Sequence, residues 1–180
     1  MKRKNLIRNI AYIALFSALV FVCTYFIAIP YGGGAGYFNL SDGIILFSTI
    51  FFGPIVGFFS GIIGTMLGDL AAGYAVFIPF TFLAKGLESI VCSVIFYALR
   101  KMKLLKYLST LVSPLIMVAT YFVSYIVLYG IEYAIVSSPF DVLQGLAGTI
   151  ISIMLLLVFD KVKIPHFEYE NIKFTLKKAN

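Results

Sequence analysis

The chain has 180 residues, 61% of them apolar and 12% charged, with a formal net charge of +6 and a mean hydropathy of +1.01. Soluble domains average about 45–50% apolar and about 25% charged, and a chain this short cannot bury so much apolar surface in one water-facing core. Composition therefore excludes a soluble enzyme, a disordered chain and a disulfide scaffold, and leaves a single integral-membrane domain over 1–180.

The segment 1–9 is basic, with Lys2, Arg3, Lys4 and Arg8. An apolar run from Ile10 to Pro30 follows, the length that a helix rising ~1.5 Å per residue needs to cross a bilayer. It lacks the small-x-small cleavage site of a signal peptide and reads as a retained first helix. Ala14 and Ala18 lie one turn apart on one face of it, and small faces let helices approach closely in lipid. The approaching helix belongs either to this chain or to a partner.

Tyr31 to Tyr37 is a glycine-rich loop with no basic residue. From Gly43 to Leu99 the chain is apolar almost throughout, with breaks at Gly53-Pro54, at Gly73-Tyr74 and before Pro79. Proline suits a first helical turn, so three helices are expected, at about 40–53, 54–73 and 79–99. The first of these is short and expected to be tilted or recessed. Gly53, Gly57, Gly61, Gly64 and Gly68 form a stripe that predicts a tightly packed central helix.

A basic loop, Arg100 to Lys106, comes next. Ser113-Pro114 has the form of a cap and first-turn proline, with a start several residues earlier as the alternative, and the fifth helix is expected to reach about Tyr133. Ser138-Pro139 opens a sixth, ending near Asp160, and 161–180 is a mostly basic tail. The expectation is an all-α membrane protein, a six-helix bundle over 10–160 with both termini cytoplasmic. Lys and Arg favour the cytoplasmic side of short loops, and 13 of the 14 lie in the N-terminus, the 100–106 loop and the tail. That placement suits a bilayer and gives no reason to expect nucleic acid.

Ionisable groups within the apolar runs are the sharpest signal, since each costs at least ~2.5–3.5 kcal/mol at a helix centre. Lys85 and Glu88 share a face of the fourth helix and Asp69 lies near the outer end of the third. Two readings stand: a structural ion pair of Lys85 with Glu88 or Asp69, or a polar pocket open to the outside. Asn39, Asp42, Tyr74, Glu132, Asp141 and Gln144 all fall at outer helix ends, which favours the pocket. Tyr121, Tyr125, Tyr129 and Tyr133 recur at four-residue spacing, and the deeper pair, Tyr121 and Tyr125, is placed to stack on a heteroaromatic ring.

No phosphate-binding G-x-x-x-x-G-K-[ST] loop occurs, and the single histidine, His166, lies in the tail. Cys23 and Cys92 read as small packing residues. Neither a metal, a cofactor nor a catalytic group is expected.

The basic N-terminus, the Ala-x-x-x-Ala helix and the glycine-rich loop lead into Asn39-Leu40-Ser41-Asp42-Gly43. Phe52-Gly53-Pro54-Ile55-Val56-Gly57, Asp69-Leu70-Ala71-Ala72-Gly73-Tyr74 and Pro79-Phe80-Thr81-Phe82-Leu83-Ala84-Lys85-Gly86 follow. Over about 8–160 this resembles the substrate-binding (S) components of energy-coupling factor (ECF) transporters, closest to the riboflavin-type group. The resemblance implies capture of a vitamin or precursor, of pyridoxine or hydroxymethylpyrimidine type, in a bacterial cell membrane. It implies partnership with a transmembrane T component and two cytoplasmic ATPases, with Ala14 and Ala18 facing the T component and the 31–41 loop acting as a lid. The expected ligand residues are Asn39, Asp42, Asp69, Tyr74, Lys85, Glu88, Tyr121, Tyr125 and Gln144. A stand-alone secondary transporter and a ligand-free scaffold remain as alternatives.

Overall fold

A computed structural model describes residues 3–31, 36–102 and 104–161. The stretch 32–35, Lys103, and the tail from 162 with His166 lie outside the described residues. Six helices make up nearly all of the rest: α1 (Arg3–Phe26), α2 (Ser41–Phe51), α3 (Pro54–Ala72), α4 (Ile78–Leu99), α5 (Leu108–Tyr129) and α6 (Ile131–Lys161). All but α2 are long and apolar enough to cross a membrane.

Helix α2, at 11 residues, spans only about 16 Å against the ~30 Å hydrocarbon core. It is recessed as expected, and every residue except Ile44 is buried. Pro54 and Pro79 sit in the first turns of α3 and α4. Gly73 ends α3 in the left-handed conformation at φ +86°, and the amide of Tyr74 closes the turn on the carbonyl of Asp69 at 2.7 Å.

The glycine stripe does what its spacing predicts. Gly57 and Gly61 lie against Thr49 and Ile45 of α2, and Gly64 and Gly68 against Val20 and Thr24 of α1. At Gly64 a methyl group would stand 2.6 Å from the Ser17 carbonyl oxygen, so α1 and α3 approach at backbone distance. Gly53 is not part of the stripe; it precedes α3 with φ +103°.

Several boundaries differ from expectation. The first helix starts earlier and ends at Phe26, and Ile29–Tyr31 forms a strand, β1, paired antiparallel with β2 (Gly36–Phe38). The two ends of the glycine-rich segment thus pair with each other as a hairpin, and Gly36 leaves room for the Tyr31 ring, which a Cβ there would meet at 2.9 Å. The break between α5 and α6 falls at Gly130, φ +91°, not at Ser138-Pro139. Pro114 and Pro139 both lie inside helices. The serines preceding them do not cap; Ser113 bonds back to the Ser109 carbonyl at 2.7 Å and Ser138 to that of Ala134 at 2.6 Å. In lipid, such local bonds let a helix continue through proline.

An aromatic-rich core fills the end of the bundle away from the hairpin: Phe16, Phe47, Phe51, Val56, Cys92, Phe96 and Leu156, with Phe52 and Phe159 against it. A smaller cluster of Phe77, Tyr125 and Ala134 lies at the hairpin end. Between the two, the interior is polar.

Candidate binding site under the hairpin

The hairpin lies over the ends of α3, α4, α5 and α6, and its two tyrosines point down into them. Tyr37 donates its hydroxyl to Asp69 Oδ1 on α3. The other oxygen of Asp69 accepts from Thr81 of α4 at 2.6 Å, and Thr81 accepts from Tyr121 of α5 at 3.3 Å. Tyr31 stacks on Phe140 at 4.5 Å. The hydroxyls of Tyr31 and Tyr125 both reach Asp141 Oδ1, at 2.9 and 3.2 Å, and lie 2.9 Å from each other. Burial, and then the neighbouring carboxylate, raise the phenols of Tyr31 and Tyr37 above the usual range, so both are held as proton donors.

A second layer lies deeper. Asn39 donates from its backbone and side-chain amides to Gln144 Oε1 at 3.0 and 3.3 Å. Gln144 passes the chain on, its Nε2 donating to Asp42 Oδ2 at 2.9 Å. Asp42 Oδ1 pairs with Lys85, whose ammonium also reaches Glu88 Oε2 at 3.4 Å and stands over the Tyr121 ring, 5.7 Å from its centroid. Lys85, Asp42 and Glu88 are 1%, 0% and 0% exposed.

Between the hairpin and this layer is a cavity of about 30 Å³ lined by Asn39, Asp69, Tyr74, Tyr121, Tyr125 and Gln144 of the expected residues. Tyr37, Thr81 and Asp141 line it as well. Asp42, Lys85 and Glu88 do not reach the cavity wall; they sit beneath it, and Gln144 and Tyr121 connect them to it. The geometry of Lys85 is that of the ion-pair reading. It is an ion pair, but chiefly with Asp42, and Asp69 belongs to the hairpin instead.

Sequence reasoning left Tyr31, Tyr37, Thr81 and Asp141 off the site. The tyrosines flank the glycines symmetrically, which was the available signal. Asp141 stands three residues before Gln144 on one helix face, which is the signal for it. Among the described residues no group of His, Cys, Asp and Glu is arranged to hold a metal ion. Ala14 and Ala18 are exposed, because α1 packs through Phe16, Ser17, Val20 and Thr24; the reading of that face as packing within the chain is thereby corrected.

A model of the ECF-type riboflavin transporter S component family matches residues 4–161. The chain belongs to that family. This S component also resembles a solved structure of the S component of a bacterial ECF transporter, with a TM-score of 0.67 and 26% identity over 91% of this chain and 100% of that one. A protein of Pyrococcus woesei, described as an uncharacterized protein in gap 3'region, is 32% identical over 132 residues, 73% of this chain and 88% of its own length. The S component is a multi-pass membrane protein. As in the family, its place is with an energy-coupling module.

Proposed function

We propose that this S component captures a small water-soluble vitamin or vitamin precursor, of pyridoxine or hydroxymethylpyrimidine type, beneath the Tyr31–Tyr37 hairpin. It delivers this ligand to an ATP-driven importer of a transmembrane T component and two cytoplasmic ATPases. The chain itself catalyses no reaction, and its setting is the bacterial cell membrane with the hairpin facing outward. The observation that carries the reading is the cavity, walled by aromatic rings and by polar groups from the hairpin and four helices. Single-ring heterocycles suit it better than larger ligands. At about 30 Å³ the cavity holds about two waters, so a ligand enters as the hairpin tyrosines withdraw, and a small ring requires the smaller rearrangement.

Asn39, Asp69, Tyr74, Tyr121, Tyr125 and Gln144 are assigned to ligand contact. Asp42, Lys85 and Glu88 are assigned to the floor that orients Gln144 and Tyr121. The exposed Ala14–Ala18 face supports docking of the T component.

The test is gentle purification of the full chain followed by mass spectrometry of what it retains, paired with uptake in cells. A retained pyridoxine- or pyrimidine-type molecule, with uptake that collapses on deletion of the ATPases, is the expected result. Uptake without ATPases would establish a secondary transporter, and a chain that retains and transports nothing would establish a scaffold.

A further inference from the structure

The polar groups on the cavity wall are unequally satisfied. Asp69 uses both oxygens, on Tyr37 and Thr81. Gln144 uses its carbonyl on Asn39 and its amide on Asp42, and the Asn39 carbonyl accepts from the amide and hydroxyl of Ser41. Asp141 takes both of its tyrosine hydroxyls on Oδ1. Its Oδ2 is buried without a hydrogen-bond partner, and the residue is 3% exposed.

The balance of charge points the same way. The buried carboxyl groups among the described residues are those of Asp42, Asp69, Glu88 and Asp141, against the single buried amine of Lys85. Lys85 is occupied by Asp42 and Glu88 and does not line the cavity. The wall thus presents carboxylates and no cation, together with the rings of Tyr74, Phe77, Tyr121 and Tyr125. Aromatic faces attract cations, and an ionised carboxylate with an unfilled oxygen is costly inside a membrane.

We infer that the ligand is a weakly basic nitrogen heterocycle bound in its protonated form, and that Asp141 selects it by accepting its N–H on Oδ2. This rests on the reading of the cavity as a capture site. A protonated ring nitrogen supplies the missing donor and the missing positive charge at one atom. A neutral ring without that nitrogen leaves Oδ2 unfilled. A phosphorylated ligand meets two carboxylates and no cation, so the site discriminates against phosphorylated forms of the same heterocycle.

The experiment is calorimetry on the full chain in lipid nanodiscs. The probes are pyridoxine, hydroxymethylpyrimidine, their counterparts with the basic ring nitrogen replaced by C–H, pyridoxine 5′-phosphate, and riboflavin. The better of the two bases is expected to bind at least ~10-fold more tightly than its C–H counterpart, the scale of one hydrogen bond to a charged group. Asp141→Asn is expected to erase that difference, so that the variant with the C–H probe is no worse than either change alone. The phosphate is expected not to compete. Equal affinity for base and C–H counterpart overturns the inference, and that comparison uses wild-type protein, so it stands even if Asp141→Asn does not fold. Tight riboflavin binding unchanged by Asp141→Asn overturns the basic-ligand assignment and leaves capture intact. If no probe binds and nothing is retained on purification, the capture reading itself falls.

Discussion

Lys85 Nζ meets Asp42 Oδ1 between α4 and α2, 43 positions apart in the chain and with both side chains out of solvent. Removing one member of a buried pair leaves the other charge uncompensated, at a cost of ~3–5 kcal/mol. Lys85→Met is therefore expected to lower thermal stability by that order even without ligand. Lys85→Met combined with Asp42→Asn is expected to recover part of the loss, because it removes the orphaned charge as well. A Lys85→Met protein that melts like wild type and loses only ligand affinity would place Lys85 in a wet pocket instead.

The hairpin tyrosines set a pH limit. Their phenols are raised in the closed state and return to about 10 when the hairpin lifts into water. The closed form thus binds these protons more tightly, so its stabilisation is complete below about pH 10 and is lost as the pH rises beyond it. Spin labels on Phe38 and Glu132 are expected to report a constant distance from about pH 8 to 9 and opening above about pH 10. Tyr31→Phe with Tyr37→Phe is expected to be more open at neutral pH and to show no such transition.

The first helix offers a test that separates assembly from capture. With Ala14 and Ala18 exposed, Ala14→Trp with Ala18→Trp adds bulk where nothing in this chain resists it. Stability and ligand affinity are expected to stay within about twofold of wild type, under ~0.5 kcal/mol. Co-purification with the T component and uptake are expected to be lost. Affinity that falls as far as uptake would show that the face supports the pocket.

Topology is checked by single cysteines. Position 137, a loop residue on the sequence reading, is buried within α6, so the neighbouring exposed Glu132 is the better probe. Cysteine at Glu132 is expected to react with an impermeant maleimide from outside and cysteine at Lys101 only after permeabilisation. The reverse pattern would invert the protein.

What was legible in the sequence was what repeats locally. The glycine stripe of α3, the shortness of α2 and the first-turn prolines of α3 and α4 each follow from residues within a few turns of one another. Ser113-Pro114 and Ser138-Pro139 misled because the same dipeptide caps a helix in water and continues one in lipid; the backbone partner of the serine decides, and the sequence does not display it. The hairpin escaped notice because strands of three residues are too short to show alternation. The Asp42–Lys85 pairing escaped because it depends on how α2 sits among the other helices, which no spacing along the chain encodes.

The recessed α2 also bears on how the protein is made. Asp42 enters the ribosomal tunnel 43 residues ahead of Lys85, which at ~5–20 residues per second is roughly 2–9 s. Over that interval the carboxylate has no counter-ion, and α2 is too short to span the bilayer and hold it there. The consequence is a delay in assembly: α2, which returns the chain from the hairpin end of α1 to the far end of α3, is held by its apolar contacts alone until α4 brings the lysine to Asp42. A ribosome stalled before α4 emerges would leave Asp42 without its partner, and one stalled after α5 would not.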